Sequence, residues 1–414
     1  MGGDMQEQRS KVALVTGGAS GIGWAICARL ARKGYRVALA DVDRAKARTA
    51  LGTLGSQHVD FHVDLTGKGQ ARLLPDRVMK AMGRLDLVIN NAGMTDSSGR
   101  GIACLPQADF ARLVDLNLVA PEQICKSACE LLPEGGRIIN LSSGAAYRPL
   151  ALRGPYSATK AAVTALTAAL DARIAQRGIR VSAVAPGYTL TPLVEELAAA
   201  GRVDLDQVAA GIPLGRIALP GDIASAVAFL ASPGGAALGG QTLVVDGGGQ
   251  LGTAPDTTWP QIGRHAQGAT LLITDQRLNE IEADLRASAL PTGLPLGCVI
   301  DARGLQRGEP AAAALTRLHA LARACAGHAA RSTDFSLLVV SAQDDTPAGH
   351  AATAATAMLV RTLALEWAPA RIRVNALIWR GTPDETLGSL CRFLCSSEAA
   401  LVTGQCLEGG PSPP

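Results

Sequence analysis

A chain of 414 residues is longer than one modest domain requires and points to two or three. With 48% hydrophobic and 18% charged residues it has material for a buried core, which excludes global disorder. A formal net charge of +3, from 39 Lys+Arg against 36 Asp+Glu, leaves no electrostatic footprint for nucleic acid or a membrane surface, and 3% aromatic residues disfavour a base-stacking binder.

In chain order, Met1 to Lys11 is polar and lacks the apolar centre of a secretory signal. No run of about 18 apolar residues follows anywhere. The expectation is a cytoplasmic protein. The nine cysteines are odd in number and contain no C-x-x-C. Cys125/Cys129 and Cys391/Cys395 lie four apart on predicted helices, and none of the six histidines is spaced to complete a zinc set, so buried thiols and no metal are expected.

Residues 11–248 alternate short β-branched runs with amphipathic stretches. Strands are predicted at Val12–Val15, Arg36–Ala40, Val59–Val63, Leu85–Ile89, Arg137–Leu141, Arg180–Ala185 and Thr242–Val245, with helices at Ile22–Arg32, Pro155–Arg177 and Asp222–Ala231 among those between. Such alternation predicts an α/β fold, a doubly wound parallel sheet covered on both faces. The periodicity fades through 249–267, around Trp259-Pro260, which reads as a linker between units 1–248 and 268–414.

Beyond the linker the chain repeats itself. Ile179-Arg-Val-Ser-Ala-Val184 recurs as Ile372-Arg-Val-Asn-Ala-Leu377, and Phe229-Leu-Ala-Ser232 as Phe393-Leu-Cys-Ser396. Gly240-Gln-Thr-Leu243 and Gly247-Gly248 recur as Gly404-Gln-Cys-Leu407 and Gly409-Gly410, and Leu87–Asn90 is echoed by Gly297–Asp301. The shared order makes these two tandem related units.

Thr16-Gly-Gly-Ala-Ser-Gly-Ile-Gly23 lies between a predicted strand and helix. Glycines there let the backbone approach a pyrophosphate resting on helix N-terminal N–H groups. Asp41 ends the second strand, close to the spacing expected for an acid on ribose hydroxyls, where it would repel a 2′-phosphate. The lesser alternative is a cap for the following helix. Tyr156-Ser-Ala-Thr-Lys160 places two side chains on one helix face. A nearby ammonium favours a phenolate and moves a tyrosine into acid–base range. Ser143, at a strand end, could offer a hydroxyl to the same substrate oxygen. Arg148 and Arg153 read as solvated loop residues.

Taken together, Thr16–Gly23, Asp64, Asn90-Asn-Ala-Gly93, Asn117, Ser143, Tyr156/Lys160, Pro186-Gly187 and Asp246-Gly-Gly248 make residues 11–248 resemble a complete member of the short-chain dehydrogenase/reductase family. The resemblance implies a Rossmann-like unit that oxidises or reduces an alcohol/carbonyl pair with a nicotinamide cofactor. It implies Tyr156 as acid/base, Lys160 as the cation that lowers its pKa and binds the nicotinamide ribose, Ser143 on the substrate oxygen and Asn117 in a water-linked proton relay. Cofactor contacts carried over are Thr16, Gly17, Ser20, Gly21, Ile22 and Gly23 in the turn, then Asp41, Asp64 at adenine, and Asn90, Ala92 and Gly93 along the trough. Pro186, Gly187, Thr189 and Thr191 complete them. Members that prefer NADP usually carry a basic residue where Ser20 or Asp41 stands here, so NAD is expected over NADP. Residues 188–219 correspond to a substrate lid.

Alignment of the repeats strips the second unit of this machinery. Asp301 replaces Asn90, Arg303 replaces Ala92, Ala342 replaces Ser143, and Gly349 and Thr353 replace Tyr156 and Lys160. Trp379-Arg380 stands at Pro186-Gly187, and the lid shrinks to about Gly381-Thr382. The second unit is expected to be a truncated, non-catalytic copy whose helices Ala311–Ala326 and Ala351–Trp367 and strand Gln405–Leu407 pack on the first unit. Two chains would then form a homodimer imitating the family's four-unit assembly. The activity expected is secondary alcohol–ketone interconversion on a small-molecule substrate. The alternatives are a 3-oxoacyl-thioester reductase and, in another class, a non-catalytic nicotinamide-binding sensor.

Overall fold

The computed structural model describes residues 10–255, 269–273, 296–306, 308–329 and 335–411, so most of the expected linker lies outside the described residues. The first unit runs β1 (Val12–Thr16), α1 (Gly21–Arg32), β2 (Arg36–Asp41), α2 (Arg44–Gly52), β3 (Val59–His62), α3 (Gln70–Met82) and β4 (Leu87–Asn90). It continues with α4 (Gln107–Val114), α5 (Ala120–Leu131), β5 (Arg137–Leu141), α6 (Tyr156–Ile174), β6 (Arg180–Pro186), α7 (Pro192–Ala199), α8 (Leu205–Ala210), α9 (Pro220–Leu230) and β7 (Thr242–Val245).

The seven strands form one sheet in the order β3-β2-β1-β4-β5-β6-β7, every ladder parallel. Strands such as Val-Ala-Leu-Val-Thr in β1 are buried along their whole length because helices cover both faces. The order reverses between β1 and β4. That switch point opens a crevice at the carboxyl ends of the strands, where ligands of this architecture bind. It also sets the turn after β1 beside the turn after β4.

The second unit holds β8 (Ala269–Ile273), β9 (Leu296–Gly304), α10 (Ala311–Ala329), β10 (Ser336–Ala342), α11 (Pro347–Trp367), β11 (Arg373–Trp379), α12 (Glu385–Cys395) and β12 (Cys406–Gly409). Its parallel sheet has the order β12-β11-β10-β9-β8, the counterpart of β7-β6-β5-β4-β1. Strand β8, which the repeat alignment did not include, is thus the remnant of β1, and β2 and β3 have no counterpart among the described residues. Strand registers set Asn90 opposite Asn140 and Asp301 opposite Val339, consistent with the Asn90–Asp301 equivalence. They pair Pro186 with Val245 and Trp379 with Gly409, so Gly409-Gly410 correspond to Val245-Asp246 and not to Gly247-Gly248. The expected alignment of the terminal glycines is therefore two residues out of register.

The units meet through a shared apolar cluster that includes Phe229, Leu230 and Leu238 of the first and Leu390, Phe393 and Leu401 of the second. Phe229 and Phe393, equivalent in the repeat, stack with centroids 3.9 Å apart. Gln405 Oε1 accepts from the Val244 N–H, and Gln241 Oε1 accepts from the Glu408 N–H. The two bonds exchange under the same offset that relates the phenylalanines, so the units are joined about a local pseudo-two-fold axis. Arg29 and Glu398 form an ion pair across the junction. The expectation that the long helices of the second unit make this junction is corrected: α12, the short helical turn Ser397–Ala399 and β12 make it, on α9, Gly234–Leu238 and β7. The reason is packing. Helix α9 and the turn Gly234–Leu238 carry apolar residues on almost every side, whereas α10 and α11 pack mainly on their own sheet and on one another, with Leu315 and Met358 left exposed. Among the described residues, no helix is long and apolar enough to cross a membrane.

Candidate active site

The glycine turn is built for close approach. Gly17 and Gly21 have φ of +62° and +53°, and a Cβ on Gly23 would lie 2.0 Å from the Gly17 carbonyl oxygen. Helix α1 starts here with no acidic residue in its first turn, and Ser20, its exposed N-cap, makes no side-chain cap bond. The helix N-terminus is thereby left electropositive toward the crevice. Asp41 supports this turn: Oδ2 accepts from the Ala19 N–H at 3.0 Å and Oδ1 from the Asp43 N–H at 2.9 Å. The helix-cap reading of Asp41 is not met, because Asp43 caps α2 through Lys46. Asp64 is exposed at the end of the third strand segment, and hydrogen bonds from Thr66 hold its carboxyl below the usual range.

Asn90 does not line the crevice with its side chain. Its amide donates to Asn140 Oδ1 at 2.8 Å and to Cys125 Sγ at 3.3 Å on the opposite face of the sheet. The residue that bolts the two turns together is Asn91, whose amide donates to the carbonyls of Thr16 and Gly17 at 2.9 and 3.0 Å. Alternation of side chains along a strand predicts this reversal. Thr16 Oγ1 in turn accepts from the Asn91 and Ala92 N–H groups. Ala92 Cα lies 3.0 Å from a Cβ built on Gly17, and Gly93 sits where a Cβ would approach Asn117 Oδ1 and Lys160 Nζ at 3.2 and 3.4 Å.

Asn117 occupies a π-helical turn, Asp115–Val119, between α4 and α5. Single π-turns inside helices mark functional sites, because the extra residue redirects one side chain. Here the buried amide is clamped: Oδ1 accepts from the Met94 N–H at 2.9 Å, and Nδ2 donates to the Met94 carbonyl at 2.8 Å and to Thr159 Oγ1 at 3.3 Å.

Ser143 follows β5, and Tyr156 opens α6. Lys160, one turn later, is buried, with Nζ donating to the Leu141 carbonyl at 2.8 Å and standing 5.8 Å from the Tyr156 ring centre. Burial alone draws its ammonium down to about 8. Burial pushes the Tyr156 phenol above its ordinary range, and a hydrogen bond with Ser143 draws it only part of the way back. The phenol is thus shifted upward by burial, opposite to the lowering expected from Lys160. Ser142, which sequence reasoning passed over, fixes α6 on β5 through the Lys160 carbonyl and Thr164.

Beyond β6, Gly187 is pressed onto Asp246, where a Cβ would come within 2.7 Å. Thr189 Oγ1 donates to the Gly187 carbonyl, and Thr191 lies over the glycine turn, its Cγ2 3.3 Å from a Cβ built on Gly21. Five exposed apolar side chains, Tyr147, Leu150, Leu152, Tyr188 and Leu193, stand on the two segments that flank this region, as do the exposed Arg148 and Arg153.

The equivalent end of the second sheet is ion-paired at β9 and open beyond β10 and β11, where Gln343, Asp344, Thr346, Arg380 and Gly381 line a pocket of about 550 Å³. Asp301, fully buried, is paired with Arg303 and Arg317, and Arg317 also pairs with Glu309. The cavity bounded by Gly304, Glu309, Ala342, Gly349 and Thr353 is about 20 Å³, room for one water.

The model of the enoyl-(acyl carrier protein) reductase family matches residues 17–250, more than half of the chain, and that of short chain dehydrogenase-like proteins matches 300–409. The chain belongs to the short-chain dehydrogenase/reductase family. An uncharacterized short-chain type dehydrogenase/reductase of Sinorhizobium fredii, y4vI, is 37% identical over 245 residues, which cover 59% of this chain and 44% of that protein. The chain thus spans less than half the length of that relative. The L-fucose dehydrogenase of Oryctolagus cuniculus is 36% identical, with 61% of this chain and 89% of that one covered. Among solved short-chain dehydrogenase/reductase structures, an actinorhodin polyketide ketoreductase variant with NADPH matches at 33% identity and a TM-score of 0.54, covering 59% of this chain and 98% of that one.

Proposed function

We propose that residues 1–248 interconvert a secondary alcohol and a ketone with a nicotinamide cofactor, NAD in preference to NADP, and that residues 268–414 take no part in the chemistry. The observation that carries the reading is the joint placement of Ser143, Tyr156, Lys160 and Asn117 on the crevice side of the β5 end. The cradle formed by Gly17, Gly21 and Gly23 against the N-terminus of α1 fits a pyrophosphate, and Asp41 beside it disfavours a further phosphate on the ribose. The cofactor, when bound, supplies hydride acceptance or donation.

The protein's own groups manage the proton. Ser143 holds the substrate oxygen beside the Tyr156 hydroxyl, which takes the alcohol proton in oxidation or returns it in reduction. Lys160, already poised between charge states by burial, stabilises the phenolate once substrate and cofactor exclude water. Asn117, locked by Met94 and Thr159, lies beside Lys160 for relay of the proton outward. The exposed apolar side chains at the mouth favour substrates with an apolar body. The ion pairs that hold Asp301, with Ala342, Gly349 and Thr353 in place of Ser143, Tyr156 and Lys160, support the assignment of the second unit as non-catalytic.

Absorbance at 340 nm with NAD or NADP and a panel of polyols, hydroxycycloalkanes and 3-oxoacyl thioesters tests this. Turnover with NAD on one alcohol class is expected, falling at least about a thousandfold in Tyr156→Phe, the scale of a lost general acid–base group. Turnover confined to thioesters moves the assignment to acyl reduction. Cofactor binding without turnover on any substrate assigns the chain to sensing.

A further inference from the structure

The lid, residues 188–219, is tied to the second unit. Its base closes on itself, with the Leu190 N–H donating to the Ala218 carbonyl at 2.8 Å and the Ala218 N–H to the Tyr188 carbonyl at 3.0 Å. Its helices α7 and α8 bury none of their residues, so the lid takes its position from its arms. The outgoing arm rests on the glycine turn through Thr191. The return arm, Ile212–Leu214, rests on the Gly247-Gly248 turn, where the Leu214 N–H donates to the Gly247 carbonyl at 3.1 Å.

That same turn is gripped from its other side. The Gly247 N–H donates to the Leu401 carbonyl of the second unit at 3.0 Å. A Cβ on Gly247 would meet Ile212 Cγ2 at 2.8 Å and Leu401 Cδ2 at 3.1 Å, and one on Gly248 would meet Pro213 Cβ and Thr403 Cγ2, both at 3.3 Å. Each glycine, with φ of +66° and +88°, is therefore a thin spacer between one lid residue and one residue of the second unit. Asp246 fixes the turn by accepting from the Gly248 and Gln250 N–H groups at 2.9 and 3.0 Å. Leu401 and Thr403 are both buried in this contact.

The contact runs one way. Under the offset that relates Phe229 to Phe393 and Gln241 to Gln405, the position of Gly247 falls on Pro411, which has no N–H to return the bond. The pseudo-two-fold symmetry of the junction is broken at the point where only the first unit has a lid to hold.

We propose that the second unit is a positioning element for the substrate lid, with Leu401 and Thr403 fixing its return arm through Gly247 and Gly248. The inference rests on the reading of residues 188–219 as the lid of a Tyr156-centred site, but its test does not need turnover. Arg202 is exposed between α7 and α8 and offers a tryptic site. In the full-length protein, Leu401→Ala is expected to speed cleavage after Arg202 by roughly five- to tenfold, through more frequent local opening of the lid. Leu401→Met, which keeps apolar bulk, restores the slow rate. Val360→Ala, in the core of the second unit away from the junction, serves as a variant of lowered Tm and leaves the rate unchanged. On whichever alcohol the 340 nm panel returns, Leu401→Ala raises KM several-fold with a smaller change in kcat and no change in cofactor affinity. Wild-type cleavage in Leu401→Ala, or equal acceleration in Val360→Ala, overturns the proposal. A wild-type protein that turns over nothing overturns the enzymatic reading instead, while the proteolysis comparison still decides the anchor.

Discussion

Lys160 bears two opposed demands, and its energetics expose them. Burial holds its folded pKa near 8 against an ordinary value of 10.5, so the folded chain carries a destabilised cation at neutral pH. At about 1.4 kcal/mol per unit, the burden is a few kcal/mol, reduced by the bond to the Leu141 carbonyl. Lys160→Met is therefore expected to raise the stability at pH 7 by about 1 kcal/mol while turnover collapses. Below pH 8 both folded and unfolded wild-type chains are protonated and the burden is whole. Between 8 and 10.5 the unfolded chain binds more protons, so wild-type stability climbs with pH and the advantage of Lys160→Met shrinks. Thermal unfolding of both proteins from pH 7 to 10 reads this directly, and a gap that stays constant or widens rejects it. At this scale the sequence was legible where spacing dictates placement: four residues on α6 bring Tyr156 and Lys160 to one face, and a strand end delivers Ser143. It misled at Asn90, where the identity of a residue was read without the side its strand turns it toward. It misled also on the Tyr156 phenol, because desolvation is a property of the folded surroundings and has no signature in a Tyr-x-x-x-Lys motif.

Elements divide in the same way. The seven strands of the first sheet follow from continuous apolar runs, and their ends move by only a residue or two from the sequence expectation. The π-turn at Asn117 was hidden because one inserted residue leaves helical periodicity almost intact. Strand β8 was hidden because it lacks the glycine turn that identifies β1. Glycine itself shows how context decides a residue's worth within an element. Gly23→Ala places a Cβ 2.0 Å from a backbone oxygen that has no room to yield, so loss of cofactor binding by well over tenfold and a Tm lowered by several degrees are expected. Gly388, within α12, has the Arg392 guanidinium at 3.5 Å as its nearest neighbour and no strained φ. Gly388→Ala is expected to stabilise by about 0.5–1 kcal/mol, the helix-propensity difference. Cofactor titration and thermal unfolding separate the two, and a stabilised Gly23→Ala would show that the turn is more pliant than its packing indicates.

For the whole molecule, the extra length resolves into an internal partner whose docking repeats the chain's own sequence. A two-fold junction brings equivalent residues together on its axis, and after the lid and the cofactor machinery of one unit are lost, the axis contacts are what such a junction still requires. The repeat Phe-Leu-Ala-Ser and Phe-Leu-Cys-Ser was legible as an echo, but that the two phenylalanines touch depends on where the axis falls, which no single sequence records. Their stacking gives the junction a measurable energy. Phe229 and Phe393 are each almost fully buried, so either Phe→Ala change is expected to cost about 3–5 kcal/mol if its own unit cannot collapse around the gap. The ring–ring term is the part that belongs to the junction. In a double-mutant cycle on the full chain, Phe229→Ala and Phe393→Ala together should cost about 0.5–1.5 kcal/mol less than the sum of the two alone. Denaturant unfolding followed at Trp24, on α1 of the first unit, and at Trp367 and Trp379 of the second, each kept as the sole tryptophan, tests whether the units melt together. A coupling near zero, with separate transitions at the two sets of probes, would mean that each unit folds on its own core and that the second is merely tethered.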